Sequence, residues 1–488
     1  MKNQINSAVV KTAFFASVFF LATFISSFAQ TKAEKIDQLM SKYAEYEQFN
    51  GSVLVAEQGK VIFKKGYGKA NMEWDIPNQS NTKFRLGSIT KQFTSMLILQ
   101  LFEQGKLKLD VPITAYLPDY PKKSGDKITI HHLLTHTAGV PNYTSFPNFF
   151  KETSKDYYTP EQFVKLFSDL PLEFEPGTKF AYSNSGYFLL GYIIEKVSSK
   201  TYEECLQTQI LTPVKMTNSG FDHTELITKN RAAAYEKRGD VFVNAAYIDM
   251  NLPYAAGSMY STVEDLYLWD QALYDNKLIS EKSKELYFGK HVVDDDGFYG
   301  YGWGFYELPL DEFKKVEIIQ HSGGINGFNT LISRIPADKN LTVFLNNTGS
   351  TNLNEMNTDV RAILYDKPYT LPKMSLAKIL YKDINSKGID KALLNYNENK
   401  KTNLYALKEN EMNSLGYELL QTGKVKEAIE VFKLNVAAYP KSGNCYDSLG
   451  EAYLASDDKK LALLNYKKSV ELDPSNENGK RIIKELSE

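Results

Sequence analysis

The 488-residue chain contains two cysteines, Cys205 and Cys445, too few for a disulfide framework, so packing must hold the fold. Six histidines are scattered along it, and His131, His132 and His136 form the one group. No carboxylate set of a recognisable ligand pattern accompanies them, so neither a metal nor another cofactor is expected. The chain also lacks a charge excess: the net charge is -2, with both signs interspersed. That excludes a nucleic-acid groove or a polybasic membrane patch as the working surface.

One long apolar run exists, at the N-terminus. Lys2 and Lys11 precede it, it extends from Thr12 to Phe28, and it closes with Ser27-Phe28-Ala29 before Gln30. Small residues three and one positions before a cut read as a signal peptide covering residues 1–29. The mature chain is then expected to be periplasmic or secreted, with no membrane span.

Beyond the signal, Ile36, Leu39, Met40 and Tyr43 recur at helical spacing, and GSVLVAEQGKVIFKKGYGKAN reads as a hairpin around Gln58-Gly59. An apolar helix from Ile89 to Gln104 stops at Gly105, and a helical, aromatic-rich middle follows to about residue 220. Ser261 to Asp265 has capping-box spacing before an amphipathic helix through Trp269 and Leu273. VEIIQHSGG, FNTLISRIP and NLTVFLNN read as three successive strands. Strands at both ends with helices between them predict an α+β domain over 30–366, its antiparallel sheet completed by the two sequence ends.

Residues 367–373, in YDKPYTLPK, read as a linker, and 374–488 as a helical domain. Within it Leu415-Gly416 recurs as Leu449-Gly450, Ala428 as Ala462, Phe432 as Tyr466 and Pro440 as Pro474, each 34 residues on. That is the tetratricopeptide period and its residue types, with clear repeats at about 411–444 and 445–478. The helices before them read as a degenerate first unit or cap, and the module as a possible protein-binding element, or else as packing for the first domain.

Candidate chemistry starts at Ser88 and Lys91. Residues three apart at a helix start share a face, which sets an amine beside a hydroxyl. A desolvated lysine can take the serine proton, and the helix N-terminus favours developing negative charge. The spacing alone is weak, since Ser375/Lys378 repeats it. The ordered set is stronger: Ser88/Lys91, then Tyr182/Asn184 in an aromatic turn, then His321-Ser322-Gly323 ending a strand.

This set resembles the serine β-lactamase and penicillin-recognising superfamily, nearest the branch of class C β-lactamases, D-amino-acid-specific peptidases and esterases. LLTHTAGV, EPGTKFAYSNSGY, AAGSMYSTVEDL and YGWGF look like that branch, over roughly residues 35–365. The resemblance implies a β-lactamase-like sheet flanked by helices and an acyl-enzyme on Ser88. Lys91 would activate it, Tyr182 would serve as base and acid, and Asn184 would hold the substrate and orient Lys91. Backbone N–H groups of Ser88 and Gly324, beside Gly323, would form the oxyanion hole. The family's usual Lys of the third motif is His321 here, expected to be partly charged near neutrality. That shifts the expected substrate toward esters and D-amino-acid peptide-like amides, small molecules or peptides. A β-lactamase, a D,D-carboxypeptidase or a ligand-sensing scaffold working through the repeats remain the alternatives. His136 reads as holding a turn rather than touching substrate.

Overall fold

The computed structural model describes residues 30–487 apart from 239, 240, 295, 311–314 and 350. The segment read as a signal peptide lies outside the described residues. The centre is an eight-stranded sheet with all neighbouring strands antiparallel. Its spatial order is Val292–Asp294, Gly297–Tyr299, Gly304–Pro309, Lys315–Ile325, Phe328–Ile335, Asn340–Asn346, Gly51–Glu57 and Lys60–Tyr67. The early hairpin therefore closes onto the late strands, Gly51 opposite Asn346, with the helical stretch inserted between them.

The central strands read as unbroken apolar runs because both sheet faces are covered. Val53, Val55 and Phe344 pack with the helices Lys32–Glu45 and Leu353–Leu364. Leu54, Ala56, Val343 and Leu345 turn to the larger helical layer. There the Thr90–Glu103 helix is buried from Thr90 to Leu101, which explains why it has no polar face. Gly105 ends it in the left-handed region, φ 67°.

The expected capping box before Trp269 forms by half. Thr262 accepts the Asp265 N–H and starts the helix Val263–Ala272. The Asp265 carboxylate turns away, to the Asn218 N–H and the Ser219 hydroxyl. On the same helix Asp270 takes the Arg334 guanidinium at 2.8 Å, both side chains almost wholly buried. Removing one partner of such a pair strands the other charge. Asp270→Ala is expected to destabilise the protein by about 3–5 kcal/mol in denaturant unfolding; a loss below about 1 kcal/mol would mean that water reaches Arg334.

Residues beyond the proline-containing stretch form seven helices, from Leu376–Lys387 to Glu477–Ser487, around their own apolar cluster. A two-residue parallel pairing of Met374–Ser375 with Tyr405–Ala406 is the one strand contact there among the described residues. Gln48 Nε2 donates to the Lys373 carbonyl of the connecting stretch at 3.0 Å, and Lys408 Nζ reaches Glu355 Oε2 at 3.4 Å, tying this region to the first.

Candidate active site

Ser88 sits in the 3-10 turn Gly87–Ile89 that leads directly into Thr90–Glu103. Gly87 allows this by adopting φ 56°, and a Cβ there would lie 2.9 Å from the backbone N and O of Gly324. The nucleophile turn and the end of the strand Lys315–Ile325 thus meet backbone to backbone. Glycine is needed at position 87 because a side chain there would press on the Gly324 backbone.

Lys91 lies one turn on, fully buried. Its Nζ is 3.0 Å from Ser88 Oγ, 2.8 Å from Asn184 Oδ1 and 2.9 Å from the Ala256 carbonyl oxygen. The last two atoms can only accept, so they take two amine hydrogens. What remains toward Ser88 is a third hydrogen if Lys91 is an ammonium, or a lone pair if it is an amine. Burial pushes the pKa far below its usual 10.5 and favours the amine. The faces of Tyr182 and Tyr187, 4.8 and 5.5 Å away, ease the transient ammonium. Such a group can take the Ser88 proton and return it.

Asn184 opens the helix Asn184–Ser198. Its Nδ2 points at Asn142 Oδ1 (3.5 Å) and Thr144 Oγ1 (3.4 Å), which fixes the amide with Oδ1 toward Lys91. Asn142 also accepts the Asn184 backbone N–H at 3.1 Å. The Tyr182 hydroxyl is shielded and has no hydrogen bond of ordinary length, although Ser88 is near enough to pull its pKa down slightly against burial. Burial wins and raises the pKa well above the usual value of 10.0, so Tyr182 is a proton donor at neutral pH.

A cavity of about 270 Å³ opens over Ser88, lined by Tyr143, Phe149, Phe150, Ile248, Ile325 and Asn326 among others. Gly324 forms part of its wall, and a Cβ there would meet nothing nearer than Asn329 Nδ2 at 4.0 Å. Gly323 is different: it backs onto the Leu86 carbonyl, where a Cβ would lie 1.9 Å from the oxygen.

His321 corrects the expectation of partial charge. It is 8% exposed, with Nδ1 2.6 Å from the Ser322 carbonyl oxygen and Nε2 3.0 Å from the Tyr299 hydroxyl. Burial first, and Lys91 second, push its pKa from 6.5 to about 4, so the ring is neutral at pH 7. The histidine group is likewise spoken for: His131 Nδ1 meets the Tyr301 hydroxyl at 2.8 Å, His132 Nδ1 accepts the Thr129 N–H at 3.3 Å, and His136 faces Ser183 and Tyr299.

A depressed imidazole pKa makes the unfolded chain bind more protons between pH 6.5 and 4. The stabilisation is complete above pH 6.5 and is lost as the pH falls toward 4. His321 alone accounts for a decline on the order of 3 kcal/mol. Denaturant unfolding at several pH values should show that slope, shallower in His321→Asn; equal slopes would place a solvated ring at this position.

Sequence reasoning missed Asn142, Thr144, the Ala256 carbonyl and Tyr299. Asn142 and Ala256 lie within or beside quoted phrases, LLTHTAGV and AAGSMYSTVEDL, and Tyr299 stands two residues before YGWGF. The signal was there, without a pattern that says which member turns inward.

A profile of the beta-lactamase family matches residues 35–365. Penicillin-binding protein 4* of Bacillus subtilis is 30% identical over 385 residues, covering 75% of this chain and 82% of that protein. The teichoic acid D-alanine hydrolase of Staphylococcus aureus is 32% identical over 283 residues, 57% of this chain and 66% of that one. Among solved structures, the penicillin binding protein from Bacillus halodurans superposes with a TM-score of 0.59 at 28% identity, covering 67% of this chain and 99% of that one. Since the match spans the sheet, the helical insertion and every segment that meets at Ser88, the chain belongs to the beta-lactamase family and is a serine hydrolase.

Proposed function

We propose that the protein is an exported hydrolase that forms an acyl-enzyme on Ser88 and acts on esters or D-amino-acid peptide-like amides with an uncharged acyl part. The observation that carries the reading is the Lys91 amine, held by two acceptors with its third direction on Ser88. Lys91 takes the serine proton as Oγ attacks the carbonyl carbon, and Tyr182 gives its proton to the leaving group. Backbone N–H groups of Ser88 and Gly324 stabilise the oxyanion; water then attacks the acyl carbon and gives a proton to the Tyr182 phenolate, while Lys91 returns its proton to the departing Ser88 Oγ. Asn184 orients Lys91 and binds the substrate.

The substrate class follows from the wall. The side chains that line the cavity are neutral, aromatic and aliphatic groups together with Asn184, Thr144 and Asn326. The neutral His321 offers a carboxylate no charge. This favours uncharged acyl groups over penicillins, and over free D-amino acids whose ammonium would go unpaired. The resemblance to a teichoic acid D-alanine hydrolase supports D-amino-acid chemistry.

Export rests on the segment 1–29, and on it periplasmic or secreted location. The helices from 374 are read as a tetratricopeptide module for a protein partner, joined by the linker 367–373. In support, Gly416 lies against the Phe432 ring and Gly450 against Tyr466, one repeat apart, with Ala428 and Ala462 fully buried.

The test is intact-protein mass spectrometry after a fluorophosphonate and, separately, a penicillin. Rates on a neutral aryl ester, an N-blocked D-alanyl amide and a free D-alanyl amide are measured alongside. A Ser88 adduct with the first probe and preference for the two uncharged substrates is expected. No adduct on folded protein would sink the acyl-enzyme, and preference for penicillin or the free amine would sink the substrate class.

A further inference from the structure

Behind Tyr182 lies a set of buried polar side chains that the proposed reaction does not use. The Ser183 N–H donates to His136 Nδ1 at 3.1 Å. His136 Nε2 is 3.3 Å from the Tyr299 hydroxyl, which is 3.0 Å from His321 Nε2. His321 Nδ1 is 2.6 Å from the Ser322 carbonyl oxygen. His136, Tyr299 and His321 are 2, 4 and 8% exposed, so water does not supply alternatives.

Both ends of this row are backbone groups of fixed polarity. An amide N–H can only donate, so Nδ1 of His136 is bare and its proton is on Nε2. A carbonyl oxygen can only accept, so His321 carries its proton on Nδ1 and Nε2 is bare. Burial keeps both rings neutral. The Tyr299 hydroxyl then accepts from His136 and donates to His321, whose bare Nε2 would otherwise lack a donor, rather than to the nearby Tyr187 hydroxyl. One direction satisfies every member, and it needs two histidines of opposite tautomer with a hydroxyl between them.

The ends matter as much as the direction. Ser183 is flanked by Tyr182 and Asn184, while Ser322 stands two residues before Gly324, which walls the cavity. His136 also takes a left-handed backbone, φ 56°, uncommon for a residue with a side chain, and its carbonyl accepts the Ala181 N–H at 2.9 Å. Its ring lies 4.2 Å from that of Tyr182, and Tyr299 meets Tyr182 edge-on at 6.3 Å.

We propose that Tyr299 is a positioning residue: through His136 and His321 it forms one directed hydrogen-bond chain that locks the Tyr182–Asn184 segment to the Ser322–Gly324 segment. The chain sets the distance from the Tyr182 phenol to the wall that Gly324 lends the cavity, without touching substrate. Its kinetic consequence rests on the acyl-enzyme reading, whereas the tautomers do not.

Two measurements test it. In full-length protein labelled with 15N-histidine, two-bond proton–nitrogen correlations near pH 7.5 report each tautomer, assigned by loss of peaks in His136→Asn and His321→Asn. Protonation of His136 on Nε2 and of His321 on Nδ1 is expected; the same tautomer on both, or a cationic ring, overturns the chain. Tyr299→Phe keeps the ring and removes the hydroxyl, and should lower kcat on a neutral ester on the order of 10-fold with KM within about twofold. An unchanged kcat in folded Tyr299→Phe overturns the positioning role. Should that variant fail to fold, the tautomers in the native protein still decide. If native protein takes no fluorophosphonate adduct, the acyl-enzyme reading fails while the tautomer result stands by itself.

Discussion

Ser88→Ala is expected to lower hydrolysis of a neutral ester by on the order of 10⁴-fold or more, with the fluorophosphonate adduct abolished and the fold retained. The size follows from the division of labour in the site. Lys91, Asn184 and the wall at Gly324 all act on a bond that Ser88 forms, so without Oγ they have nothing to activate. What survives is binding in the cavity and whatever a water in place of the hydroxyl can do. Stability should change little, because Lys91 keeps two of its three partners, Asn184 Oδ1 and the Ala256 carbonyl. Circular dichroism and denaturant unfolding check the fold while ester hydrolysis is followed. A folded variant with retained turnover would mean that another group is the nucleophile.

How much of this was legible in advance divides by the range of the interaction. The helix spacing of Ser88 and Lys91 is local, so a shared face was expected of them, and the 3.0 Å contact fits it. The hairpin and the three late strands were legible because β-rich runs between turn residues are also local patterns. The closure of Gly51–Glu57 on Asn340–Asn346 followed from strands standing at both ends. The charge of His321 was not legible. It depends first on burial by residues far away in sequence and then on Lys91, and a third-motif histidine looks the same whether solvated or enclosed. Gly323 and Gly324 likewise read alike, yet one packs on Leu86 and the other faces the cavity, since alternate strand residues point to opposite faces. The Ala256 carbonyl could not be singled out at all, because every residue carries one.

Lys91→Met should move activity and stability in ways that separate the base from a mere packing lysine. Methionine fills similar volume without a proton to accept, so kcat is expected to fall on the order of 10³-fold while the cavity and KM are largely kept. The stability signature is sharper. A lysine held as an amine in the fold but free to be an ammonium when unfolded binds more protons in the unfolded state below pH 10.5. Native stability should then rise with pH up to 10.5, by about 1.4 kcal/mol per unit over the range above the folded pKa. Lys91→Met lacks that contribution, so the difference in unfolding free energy between native and variant should change in favour of the native protein as the pH rises toward 10.5. The lost donors to Asn184 and Ala256 add an offset that is independent of pH and leaves the slope intact. Parallel curves would mean that Lys91 stays charged in the fold. The Ser88 proton would then have to go elsewhere, and Tyr182, which burial keeps protonated, is poorly suited to receive it.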